Sequence, residues 1–194
     1  MDQSSDRIVF ARDYVDRLCR VLRSLPFEDL GTTLELLERA LIDRRQVFLA
    51  GNGGSAATAS HMAADLIRGV ALRDARGLRA IALTDNVACL TAIANDESYE
   101  DAFASQLIAL GQPGDLLILF SGSGNSSNIV RIASVARSMH ITVIAFLGMG
   151  GGEVASMADV SVVVPSDDYG PVEDVHLVFD HLVTAYLRCW LKSR

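Results

Sequence analysis

Residues 116–130 read LLILFSGSGNSSNIV, and the rest of the chain is organised around them. Leu116, Leu117, Ile118, Leu119 and Phe120 run without a polar residue, the pattern of a strand buried on both faces of a parallel sheet. Ser121, Gly122, Ser123, Gly124, Ser126 and Ser127 follow at once, and an apolar helical spacing (Ile129, Val130, Ile132, Val135) begins directly behind them. A strand, a Gly/Ser turn and a helix start in that order aim unpaired backbone N–H groups and several hydroxyls at one small volume, with the positive end of the helix behind it. That volume suits a phosphate. Capping a helix needs one hydroxyl rather than four. No Lys stands where the nucleotide motif G-x-x-x-x-G-K-[ST] requires it, so a neutral cradle fits a phosphate monoester on a small sugar better than a triphosphate with magnesium.

Working outward, Gln46 to Ala50 (QVFLA) predicts the first buried strand. It runs into Gly51, Asn52, Gly53, Gly54 and Ser55, and a helix follows over 56–68. This second glycine turn also lets a ligand approach the backbone closely. It is not a dinucleotide fingerprint, because G-N-G-G-S lacks the G-x-G-x-x-G spacing and no strand ends in an acid about 20 residues later. Further strands are expected at 78–83, 141–147 and 160–164, with helices at 86–94 and 99–110, a short helix after the loop 148–152, and a long final helix over 172–191. Two helices, 6–25 closed by Pro26 and a second ending at Asp43, precede every strand and are expected to lie on the sheet or against a partner subunit. Strands alternating with helices at these intervals predict an α/β fold, a doubly wound five-stranded parallel sheet with ligands at the carboxyl ends of its strands. No internal linker divides the chain, so 1–194 reads as a single domain with an N-terminal helical extension over 1–43.

Composition limits the function. The chain has 194 residues, half of them hydrophobic, and a net charge of −7. An acidic chain of this kind disfavours nucleic-acid binding through a basic face, and the apolar richness suggests surface buried between subunits. Cys19, Cys89 and Cys189 match no zinc or redox spacing and read as reduced residues of a cytoplasmic protein. The polar, acidic start is unlike a signal peptide, and no apolar run reaches membrane length.

The candidate chemistry sits on two helices. His61 and Asp65 are four apart and share a face of the helix leaving the Gly51–Ser55 turn. On the final helix Glu173 and His181 lie on roughly one face, and His176 and Asp180 form a second pair at four. Two imidazoles and two carboxylates suit a divalent transition metal, zinc first. His140, at a helix end, reads as a cap or surface residue.

The segments AGNGGSAATASHMAAD, LTAIAND, FSGSGNSSNIV and VEDVHLVFDH resemble the sugar isomerase (SIS) superfamily and, within it, the phosphoheptose isomerases, over nearly the whole chain. The resemblance implies the SIS fold, a homotetramer with active sites between subunits, and a zinc-dependent conversion of sedoheptulose 7-phosphate to D-glycero-D-manno-heptose 7-phosphate. By position, Asn52, Gly53, Gly54 and Ser55 would contact the sugar, Ser121, Gly122, Ser123 and Ser126 the phosphate, and Asn95 and Asp96 would reach substrate from a neighbouring part of the site. Glu173 would also touch substrate. His61, Asp65, Glu173 and His181 fall on the metal positions, with Asp65 and His181 catalytic. The family usually carries Glu where this chain has Asp65 and Gln where it has Glu173, so the base has a shorter arm and the site an added negative charge. These departures keep open an isomerase acting on another ketose phosphate. A non-catalytic relative of the kind that associates with a replication initiator would be expected to lose the acid and the final histidine, both of which this chain retains. A sugar-phosphate-sensing regulator would carry a DNA-binding domain.

Overall fold

In the computed structural model, which describes residues 3–71 and 76–194, the apolar runs form the strands β1 (Gln46–Gly51), β2 (Arg79–Ala82), β3 (Leu116–Ser121), β4 (Thr142–Leu147) and β5 (Val160–Val163). The helices are α1 (Gln3–Arg23), α2 (Phe27–Ile42), α3 (Gly54–Ala64), α4 (Val87–Asp96), α5 (Ala104–Leu110), α6 (Ser127–Ser138), α7 (Gly152–Ala155) and α8 (Tyr169–Lys192). All five strands are parallel, in the order β2-β1-β3-β4-β5. The order reverses between β1 and β3, the topological switch point at which open α/β sheets bind ligands. Gly51 pairs with Phe120 in that register, so the GNGGS turn and the SGSGNSSN turn leave the sheet side by side.

Every residue of β3 is buried, while the edge strand β2 alternates exposed and buried positions. One face of the sheet packs against α2, α3 and α8 through Leu37, Met62, Phe120, Phe146 and Phe179, and the other against α5, α6 and α7 through Phe48, Leu107, Ile132 and Val154. Asp115 ties the base of the central strands together, its two carboxylate oxygens accepting from the backbone N–H groups of Gln46 (3.0 Å) and Gln112 (2.9 Å). Among the described residues no helix is long and apolar enough to cross a membrane.

The two leading helices behave differently. α2 lays Leu30, Leu37, Ala40 and Leu41 on the sheet of its own chain, whereas residues 6–17 of α1 are exposed apart from Tyr14. Tyr14 donates to Asp174 at 2.5 Å and Arg17 pairs with Asp168 at 3.1 Å, fastening α1 to the start of α8. The helix expected over 99–110 is broken: a 3-10 turn at Tyr99–Asp101, capped by Ser98, precedes α5, with Phe103 buried at the break. The helix expected over 56–68 starts two residues earlier, at Gly54, and its last turn widens into a π-turn, Asp65–Gly69. Such turns are frequent at functional sites. His140 follows α6 in the left-handed region at φ 57°, where its carbonyl accepts from Gly114.

His176 is fully buried among Phe120 (ring centroids 5.8 Å) and Phe179 (6.3 Å), and neither ring nitrogen has a hydrogen-bond partner. Burial pushes its pKa down to about 4, against a weaker opposing contribution from the Leu147 backbone. A group whose folded pKa lies below its unfolded value contributes stability that is complete above about pH 6.5 and is lost as pH falls through about 4, here about 3 kcal/mol. Urea unfolding of the wild type and His176→Leu is therefore expected to show a difference in unfolding free energy that shrinks by about this amount between pH 7 and pH 4. A difference independent of pH would mean that the imidazole is not buried neutral.

Candidate active site

The two Gly/Ser turns at the switch point line a cavity of about 180 Å³, with Asn52 and Ser55 on one side, Phe120, Ser121, Gly122, Ser123 and Ser126 on another, and Tyr169 and Glu173 of α8 closing it. The first turns of α3, α6 and α8 all meet there, so three positive helix ends face the same volume. Among the described residues no Lys or Arg lines it. Ser126 is the N-cap residue of α6 yet makes no side-chain capping bond, which leaves its hydroxyl for a ligand. Ser121 accepts from the Gly124 N–H at 3.0 Å and so also shapes the loop. Gly124 sits at φ +65° against the Gly151 backbone, where a Cβ would overlap the carbonyl. Gly53, at φ +56°, turns the chain into α3. A Cβ on Gly54 would overlap the Glu173 carboxylate, so that carboxylate rests directly on the start of α3. An acceptor-only group in a cavity otherwise built of donors suits sugar hydroxyls rather than the phosphate.

A second cluster lies further along the same two helices. His61 Nε2 is 3.9 Å from Asp65 Oδ2 and 3.7 Å from Asp180 Oδ2, and the His61 and His181 rings meet edge to face at 5.3 Å. Ligand atoms of His61, Asp65, Asp180 and His181 all lie within 4.8 Å of one another. Asp180 is fully buried, and neither of its oxygens accepts a hydrogen bond. Burial, then Asp65 beside it, push its pKa up to about 6, with His61 and His181 pulling the other way. Two imidazoles and two carboxylates are donors that zinc takes, and a tetrahedral site with bonds of about 2.0–2.1 Å has edges of about 3.4 Å, within small side-chain adjustments of what is seen. The orphaned carboxylate is what a cation would satisfy. The residues present fit a divalent metal.

The structure brings His61, Asp65 and His181 together, with Asp180 as the fourth member where the resemblance implied Glu173. Glu173 lies two helical turns away, about 12 Å of rise, in the cavity with Asn52 and the serines. Asn95 and Asp96 are exposed at the end of α4, where Asn95 donates to Asp96 at 2.8 Å, and they do not line the cavity. Sequence reasoning missed Tyr99, Asn128 and Tyr169 and did not place Asp180 at the site. For Asp180 a signal existed: an acid on the flank of the buried seam Val172, Val175, Phe179, Val183.

A family model described as SIS domain matches residues 12–148. The phosphoheptose isomerase of Sulfurimonas denitrificans is 44% identical over 139 residues, 72% of this chain and 71% of its own length. That of Clostridium acetobutylicum is 42% identical over 156 residues, covering 80% and 79%. The chain belongs to the phosphoheptose isomerase family. Its fold agrees: the phosphoheptose isomerase GmhA from Neisseria gonorrhoeae superimposes with a TM-score of 0.87 at 30% identity, covering 95% of this chain and 98% of that one. The protein is therefore a sugar-phosphate isomerase of the SIS fold, and the two clusters on α3 and α8 are its candidate phosphate and proton-transfer ends.

Proposed function

We propose that this isomerase converts sedoheptulose 7-phosphate to D-glycero-D-manno-heptose 7-phosphate through an enediol. The observation that carries the reading is the disposition of the two clusters. Ser55 and Glu173 border the phosphate cavity. His61 and Asp65 follow about 9 and 15 Å further along the α3 line, and His181 about 12 Å further along α8. A phosphate held by Ser121, Ser123, Ser126 and the helix ends therefore presents the far end of an extended sugar to the acid and imidazoles, which is where C1 and C2 of a ketose 7-phosphate would be.

Moving a proton between C1 and C2 needs one base that takes and returns it, and a partner for the oxygen that changes charge. Asp65 is that base, and His181 exchanges the proton at oxygen. Asn52, Gly53, Gly54, Ser55 and Glu173 hold the hydroxyls between, and fixing the phosphate end converts the encounter into an oriented one. His61, Asp65, Asp180 and His181 would hold a divalent cation, with zinc proposed; such an ion polarises a carbonyl oxygen and the neighbouring hydroxyl when bound.

Self-association into a homotetramer with sites between subunits completes the reading. α4 buries none of its ten residues although it carries Val87, Leu90 and Ile93, and Ile8, Val9, Phe10 and Val15 of α1 are each more than half exposed. Covering α4 in this way would carry Asn95 and Asp96 to a neighbouring cavity. The three cysteines are free, in keeping with a reducing cytoplasm.

A panel of ketose phosphates of different chain length tests the substrate. Turnover is expected with sedoheptulose 7-phosphate and at least tenfold lower kcat/KM with five- and six-carbon ketose phosphates, whose reacting carbons fall short of Asp65. Preference for another ketose phosphate would reassign the substrate, and binding without turnover of any would favour a non-catalytic role.

A further inference from the structure

Asn52, at the lip of the cavity, is held by two residues that the reaction itself does not use. Its Nδ2 donates to Asn128 Oδ1 at 2.8 Å, and Asn128 Nδ2 donates back to Asn52 Oδ1 at 2.9 Å. The Tyr99 hydroxyl donates to the same Asn52 oxygen, also at 2.9 Å. An Asn amide has two N–H donors and two acceptor lone pairs. Asn128 and Tyr99 occupy both lone pairs of Oδ1, and Asn128 occupies one N–H. The polar capacity left to Asn52 is a single N–H donor.

Both partners of Asn52 are tied to α6. Asn128 is 1% exposed in the first turn of α6. Tyr99 stands on the 3-10 turn that Ser98 caps, and Asp101 of that turn accepts from Arg131 of α6 at 3.1 Å. One helix therefore holds both arms of the clamp, and the clamp spans the gap between the end of β1 and the helix that begins the phosphate cradle.

We propose that Asn128 and Tyr99 are positioning residues that lock the Asn52 amide as a donor-only group, whose one remaining N–H is offered to an acceptor oxygen of the sugar chain beside the phosphate. The clamp makes Asn52 read the sugar, while the serines and helix ends read the phosphate. This rests on the cavity being the sugar-phosphate site proposed above.

The test is a double-mutant cycle on binding, free of turnover. Dissociation constants of an alditol phosphate, which has hydroxyls and a phosphate but no carbonyl to isomerise, and of inorganic phosphate would be measured by calorimetry. The proteins are the wild type, Asn52→Ala, Asn128→Ala, Tyr99→Phe, and the doubles Asn52→Ala/Asn128→Ala and Asn52→Ala/Tyr99→Phe. Each single change is expected to weaken the alditol phosphate about tenfold, the worth of one well-placed hydrogen bond, with phosphate affinity held within about twofold. Each double is expected to bind no worse than Asn52→Ala alone, because the partners act only through Asn52. Multiplicative losses in the doubles, or parallel loss of phosphate, would assign Asn128 and Tyr99 a structural role and overturn the proposal. Tyr99→Phe, a conservative change at a half-exposed residue, keeps the test open should Asn128→Ala fail to fold. An alditol phosphate that binds the wild type no better than phosphate also overturns it. Preference for the alditol phosphate without turnover of sedoheptulose 7-phosphate overturns only the assigned reaction.

Discussion

Asp65→Asn is expected to lower kcat by roughly 10³-fold or more while inorganic phosphate binds within about twofold of the wild type. The amide is nearly the same size as the carboxylate but cannot take a proton from carbon. Asp65 opens the π-turn that ends α3, is half-buried, and lies 3.9 Å from His61, whereas the phosphate cradle is built from the other end of α3 and from α6. The two ends are separable by mutation because the helix holds them apart. Steady-state kinetics with calorimetric titration of phosphate checks this. A variant that turns over normally would remove Asp65 from the role of base, and one that lost phosphate binding in parallel would mean that the substitution had disturbed the fold.

Asp180→Asn is expected to move two quantities in opposite directions. In the metal-free protein the buried Asp180 carboxylate has no hydrogen-bond partner and faces a second carboxylate, Asp65. Neutralising it removes a desolvation and repulsion cost, and a gain of roughly 1 kcal/mol or more is expected. At this chain length each kcal/mol raises Tm by about 2–4 °C. The same change removes a ligand, and since even residues that merely support metal ligands cost about 10–100-fold in affinity, at least tenfold weaker zinc binding is expected. Thermal unfolding in chelator and zinc titration with a competing dye read the two effects separately. Lower stability in chelator with unchanged zinc affinity would mean that Asp180 serves the fold and not the ion.

The architecture was legible because buried parallel strands are written as unbroken apolar runs. Val47 to Ala50, Leu116 to Phe120 and Val143 to Leu147 carry no polar residue, and each ends at the turn or loop its ligand-binding end requires. The glycine and serine turns were likewise legible locally, and they leave the sheet side by side to line one cavity. What lay beyond reach was the meeting of separate elements. The spacing of His61 and Asp65 shows a shared helix face, but only the packing of α3 on α8 shows that Asp180, one residue from His181, faces them, while Glu173 is carried by two turns of helix to the cavity between the Gly/Ser turns. The break within 99–110 depends on Phe103 being buried and on Ser98 capping the turn before it. The clamp on Asn52 joins residues 47 and 76 positions away in the chain, a separation no periodicity reports.

The central claim, isomerisation by the acid and imidazole cluster of a sugar held at its phosphate, is tested most directly by NMR in D₂O. The protein would be mixed with sedoheptulose 7-phosphate, once with added zinc and once after chelation. Appearance of an aldose 7-phosphate carrying deuterium at C2 with zinc, and its suppression on chelation, is the predicted result. Binding of the sugar phosphate with neither product nor deuterium incorporation under either condition would contradict the account.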